Sequence, residues 1–175
     1  MVSERSHHDP ASNRATPDAS GRLNLLVSYG GWRDLSWADQ LPRLLEPMGI
    51  VTFRVESGVE AADLIESAPV HIAVVDLNLP LDRREARTAA VTHTGGARIL
   101  QLLRRLEDPP PTVVVRRPVD KAAANQRTLH QALREGAFSV LDAPVALEQI
   151  LGIMRRILQR HYADRWPSEW SGGHP

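Results

Sequence analysis

Five short apolar segments, separated by stretches of helical periodicity, constrain this chain more than any other feature. They are "LNLLVS" from Leu23, "IVTFRV" from Ile50, "HIAVV" from His71, "TVVV" from Thr112 and "FSVL" from Phe138. Each has the length of a strand, and continuous apolar runs imply burial on both faces. "IVTFRV" alternates and is β-branched, which also favours a strand. Buried strands that alternate with helices predict a parallel sheet covered on both sides. Right-handed crossovers then give a three-layer α/β domain.

The intervening stretches read as helices. "LPRLLEPMG" spaces Leu41, Leu44, Leu45 and Met48 helically. Pro42 predicts a start near Ala38 or Asp39, because the first amides of a helix lack partners anyway. In "SGVEAADLIES", Ser57 is the expected N-cap and Glu60 completes a capping box, with Val59, Ala62, Leu64 and Ile65 inward. "GARILQLLRRLE" places Ile99, Leu102, Leu103 and Leu106 on one face, and the prolines from Pro109 end it. "NQRTLHQALREG" is helical with Gly136 as C-cap. The last helix, "VALEQILGIMRRILQRHYADRW", carries the stripe Leu147, Ile150, Leu151, Met154, Ile157 and Leu158.

Residues 1–21 are rich in Ser, Pro, Asn, His and charge. They predict a disordered tail, because too little apolar surface is present to offset chain entropy. The expected domain spans residues 22–160, and 161–175 form a C-terminal tail. A chain of 175 residues can bury a core without disulfides. It contains no cysteine, which removes disulfides, thiolate metal sites and cysteine nucleophiles together. The formal net charge is zero, so no global field favours nucleic acid or membrane. No apolar run reaches membrane-spanning length and no signal peptide is legible, so the expected compartment is the cytoplasm.

Asp76 is the residue that asks for chemistry. It ends the third apolar segment in "HIAVVDLNLP", and a carboxylate at the end of a buried strand must be solvated, paired or used. Together with the Gly-led helix "GGARILQLLRRL" and the closing "ALREGAFSVLDAPVALEQILGIMRRIL", this order resembles the receiver domain of bacterial response regulators. "VESGVEAADLI" resembles the start of that family's second helix, and the likeness covers about Leu23 to Leu158. It implies a flavodoxin-like (βα)₅ doubly wound parallel sheet with strand order 2-1-3-4-5. Ligands in such sheets bind at the carboxyl ends of the strands.

In that family the strand-three Asp accepts a phosphoryl group. An acidic pair after strand one helps to hold Mg²⁺, a Thr or Ser ends strand four, and a Lys precedes a proline after strand five. Mg²⁺ and the Lys offset charge on the transferring oxygens. Here Asp76 matches the acceptor, but the acidic pair falls at Ser28 and Tyr29. The Thr/Ser position falls near Arg116, and the Lys position at Ala143, with Pro144 kept. Asp34 is the nearest other carboxylate after strand one, and the alignment does not support it. The resemblance also implies a cis bond before Pro144. Insertions at 81–94 and around "RRPVDKAAANQ" fall near the rim that admits a phosphodonor.

Two readings follow. The residues favour a stand-alone, divergent receiver of pseudo-receiver type, a protein-interaction module in two-component signalling and not an enzyme. Asp76 would then pair with Arg116, or with Arg117 if the register shifts by one, and no metal or cofactor is expected. The alternative is a true phosphorelay receiver phosphorylated at Asp76, with Mg²⁺ as its cofactor. The expected partners are a histidine kinase or a downstream effector, or a second copy in a homodimer, and not membrane or nucleic acid.

Other candidates have plainer readings. His7 and His8 read as solvated tail residues. His71, His93, His130 and His161 lack metal-ligand spacing, and Ser28 lacks a nucleophile-elbow context. Gly30-Gly31 and Gly95-Gly96 are too sparse for a phosphate cradle. The arginines of the last helix (Arg155, Arg156, Arg160, Arg165) read as a solvated face. Trp166 and Trp170 either anchor a partner or pack back onto the domain.

Overall fold

All five apolar segments become strands of one sheet in a computed structural model, which describes residues 22–28, 36–82, 95–117, 134 and 136–163. The strands are β1 (Leu23–Ser28), β2 (Ile50–Val55), β3 (Ile72–Asp76), β4 (Thr112–Arg116) and β5 (Ser139–Asp142). Their order is β2-β1-β3-β4-β5, and every adjacent pair is parallel. This is the flavodoxin-like arrangement expected from the sequence. The described helices are α1 (Ser36–Leu45), α2 (Gly58–Ser67), α3 (Gly95–Arg104) and α4 (Leu147–Ile157). Among the described residues, no helix is long and apolar enough to cross a membrane. The N-terminal tail, Tyr29, Gly30, Gly31, Asp34, most of the 81–94 insertion, His93, His130, Trp166 and Trp170 lie outside the described residues. So does most of the helix expected before Gly136.

Two cores flank the sheet because side chains alternate along each strand. Leu25, Val27, Ile72, Val74, Val113 and Val115 face α1 and α4. Leu26, Ala73, Val75 and Val114 face α2 and α3. Burial of this kind stabilises by roughly 25 cal/mol per Å² of apolar surface.

The helices depart from expectation in register. α1 begins at Ser36, so Pro42 lies inside it. Proline there forgoes the amide bond toward Ala38. Trp37 and Ala38, both buried with Leu41 and Leu45, hold the extra turn by packing. Leu44, helically spaced with Leu41 and Met48, is exposed. In α2, Gly58 and Ala61 are buried and Leu64 and Ile65 pack half-buried against the core as expected, whereas Val59 is exposed. The Ser57 hydroxyl accepts from the Glu60 amide as a capping box requires, but the Glu60 carboxylate accepts from Glu56 N–H, one residue earlier than expected. In α3 the buried positions are Gly95, Gly96, Ile99, Leu100 and Leu103. α4 buries Ile150, Ile153, Met154 and Ile157, and Arg155 and Arg156 are exposed as predicted. Gly136 has φ 82°, as its reading as a C-cap requires.

The packed unit runs past Arg160. A π-helical turn, Leu158–Tyr162, continues α4 and buries Tyr162. The Tyr162 hydroxyl donates to the carbonyl of His71 at 2.5 Å. His71, also buried, accepts the Asn24 amide on Nδ1 at 2.9 Å. The Asn24 side chain donates to the Pro69 carbonyl. These groups tie β1, β3 and the C-terminal turn together at the amino ends of the strands.

Candidate functional site

The direction of chain progression reverses between β1 and β3, and the crevice at such a switch point lies beyond the carboxyl ends of those two strands. β1 ends at Ser28 and β3 at Asp76. The two residues are joined across the crevice: the Asp76 amide donates to Ser28 Oγ at 2.7 Å. Both are buried. Ser28 therefore satisfies a main-chain donor at the point where the β1–β3 ladder runs out.

The Asp76 carboxylate also shapes the turn that follows. Its Oδ1 accepts the Asn78 amide at 2.8 Å, an Asx-turn. Leu77 donates to the Val115 carbonyl, and Leu79 to the Asp76 carbonyl. Helix starts then clamp the turn. Gly58 and Val59, first in α2, donate to the carbonyls of Pro80 and Leu81, and Gly95, first in α3, donates to that of Leu79.

Gly95 and Gly96 take their meaning here. A Cβ on Gly95 would stand 2.2 Å from the Pro80 oxygen, and one on Gly96 would stand 2.3 Å from the Asp76 oxygen. The glycines let α3 lie directly on the backbone of the Asp76 turn.

On the other side of the rim stand β4 and β5. Arg116 and Asp142 are register partners. Arg116 Nε donates to Asp142 Oδ1 at 2.6 Å, and Nη2 lies 3.4 Å from Oδ2. The Arg116 side chain is 11% exposed and that of Asp142 53%. Alternation accounts for the pairing: Arg116 follows Val114, and Asp142 follows Val140, on the α2/α3 face, whereas Asp76 follows Val74 on the α1/α4 face. The Nε edge of Arg116 is thus engaged by Asp142, a contact that the sequence reading did not include. Asp142 was missed there. The signal was present, because β4 and β5 were expected to be neighbours and Asp142 is the only acid at the end of β5. Arg117 is exposed. Ala143 donates its amide to the Arg116 carbonyl, and the Ala143–Pro144 bond is cis.

A Mg²⁺ site of receiver type needs several oxygen ligands converging on one point. Asp76 supplies a carboxylate, but Ser28 supplies a hydroxyl already accepting a bond, and Asp142 is engaged by Arg116. No group of three His, Asp or Glu that could hold a metal occurs among the described residues. The described part of the rim does not fit the ion.

No family model matches the sequence, and no curated protein matches it. Solved structures do. The receiver domain of a putative LuxO repressor protein from Vibrio parahaemolyticus has a TM-score of 0.58 at 18% identity, covering 87% of this chain and 99% of that one. The receiver domain of Francisella response regulator 1452 has a TM-score of 0.57 at 21% identity, covering 79% and 98%. NtrX from Brucella abortus has a TM-score of 0.59 at 17% identity, covering 82% of this chain but 29% of NtrX. The strand order, the carboxylate ending β3 and these likenesses together give one conclusion: this chain has the fold of a response regulator receiver domain.

Proposed function

We propose that this chain is a divergent receiver module that passes a signal in two-component-type signalling by binding a protein partner, without Mg²⁺-dependent phosphoryl transfer. It works as a cytoplasmic interaction module and not as an enzyme, with a histidine kinase or a downstream effector as its partner. The observation that carries this reading is the Ser28–Asp76 bond at the switch point. A hydroxyl that fixes the backbone stands where a receiver places a metal-binding acid. Charge on a transferring phosphoryl group would go unmet at Ser28 and Ala143.

The second reading is a true phosphoacceptor. It is favoured by one observation, the position of Asp76 at the carboxyl end of β3. The two separate cleanly. The chain is incubated with acetyl phosphate and millimolar Mg²⁺ and weighed intact. The expected result is no phosphoryl adduct. A stable adduct lost in Asp76→Asn would establish the phosphoacceptor and end the first reading.

A further inference from the structure

At the amino ends of β4 and β5, opposite the Asp76 rim, lies a cavity of about 430 Å³. Its walls are largely apolar: Leu100 and Leu103 of α3, the prolines Pro109–Pro111, and Phe138. Two exposed arginines, Arg104 and Arg134, stand at its edge. Neither makes an ion pair among the described residues. Thr112, Gly136, Ala137 and His161 complete the lining, and the His161 ring meets Phe138 edge-on with centroids 5.7 Å apart.

His161 lies two residues before Ala163, the last described residue of the C-terminal turn. The buried Tyr162 anchors that turn through the His71 carbonyl. The chain therefore continues from the edge of the cavity, into "DRWPSEWSGGHP". This stretch holds two tryptophans at a spacing of four, and two acids, Asp164 and Glu169. Residues four apart share a face in a helix and in a strand alike. Asp164 to Trp170 reach about 23 Å when extended, at ~3.3 Å per residue, which suffices to cross the cavity. A tether this short gives an effective concentration in the millimolar range.

We propose that the segment Asp164–Trp170 docks into this groove, with Trp166 and Trp170 against the Leu103–Pro110–Phe138 wall and Asp164 and Glu169 facing Arg104 and Arg134. Aromatic side chains supply large contact area at low entropic cost, and the paired charges set the direction of the strand or helix that carries them. The groove is then a docking site for the protein's own C-terminal segment, and a competing partner would carry the same chemistry, an acidic peptide with spaced aromatic residues.

The absence of cysteine makes the test clean. The full chain is prepared as Ala137→Cys/Ser171→Cys, with Glu56→Cys/Ser171→Cys as a control placed at the opposite end of the sheet. Under mild oxidation the first variant should form an intramolecular disulfide at least tenfold faster than the control. Adding Trp166→Ala/Trp170→Ala should slow it at least fivefold, and Arg104→Glu/Arg134→Glu should also slow it. Three results would each overturn the proposal. They are equal rates for both cysteine pairs, a rate indifferent to the tryptophans, and disulfides formed only between molecules, which would assign the groove to a second copy.

Discussion

Arg116 and Asp142 face each other across the β4–β5 ladder with 2.6 Å between Nε and Oδ1. The guanidinium is nearly enclosed and the carboxylate is half exposed. A bond of this kind is charge-assisted, and its value is reduced on the solvent side. It closes the edge of the sheet at the position where a receiver keeps a small hydroxyl residue.

Removing the carboxylate takes the Asp142 contact away from the enclosed cation. Asp142→Ala should therefore destabilise by about 1–2 kcal/mol, more than a surface pair contributes. Arg116→Ala/Asp142→Ala should cost less than the sum of its single variants by about 1 kcal/mol. Urea melts of the four proteins measure this. A parallel cycle between Arg116 and Asp76 should show the smaller coupling. Equal or larger coupling there would make Asp76 the main partner of Arg116.

The switch-point bond makes a separate prediction. Ser28→Ala removes the acceptor of the buried Asp76 amide, and an unmet buried donor costs about 1–3 kcal/mol. Ser28→Thr keeps a hydroxyl and should retain part of that stability. If alanine and threonine behave alike in urea melts, the hydroxyl is not holding the turn.

The strands were legible because an apolar run bounded by turn residues has few other uses. Strand order followed from the resemblance, not from the runs themselves. The helical faces were less legible. Leu44 and Leu45 are indistinguishable by composition, and only the buried Trp37, which lies outside the segment read as helix, decides which of them faces inward. At the rim, Asp76 stood out because it breaks an apolar run. Ser28 could be aligned but not assigned a bond, since serine offers no charge to look for. Asp142 escaped notice because acids near strand ends are common, and only the register with Arg116 gives it a role.

Tyr162 tests where the domain stops. Its ring is buried and its hydroxyl donates to the His71 carbonyl, two residues past the boundary at 160 expected from the sequence. Tyr162→Phe should lose about 1 kcal/mol, the net value of one hydrogen bond. Tyr162→Ala should lose about 3–5 kcal/mol, as other large aromatic truncations in cores do. A loss near zero for both would place the end of the folded unit before the π-helical turn.

Glycines supply the sharpest contrast. Gly96→Ala would place a methyl group 2.3 Å from the Asp76 oxygen and 2.6 Å from Leu77 Cα, both backbone atoms that cannot swing aside. Either α3 lifts from the Asp76 turn or the turn reshapes, and the expected loss is about 3 kcal/mol or more, at the upper end of the range for overpacking. Gly152 lies within α4, and nothing stands within 4 Å of the place its Cβ would take. Gly152→Ala should therefore stabilise by about 0.5–1 kcal/mol, the usual difference between glycine and alanine inside a helix. Chemical denaturation of the two variants beside the parent checks both signs at once. A neutral Gly96→Ala would mean that α3 does not rest on the backbone that carries Asp76.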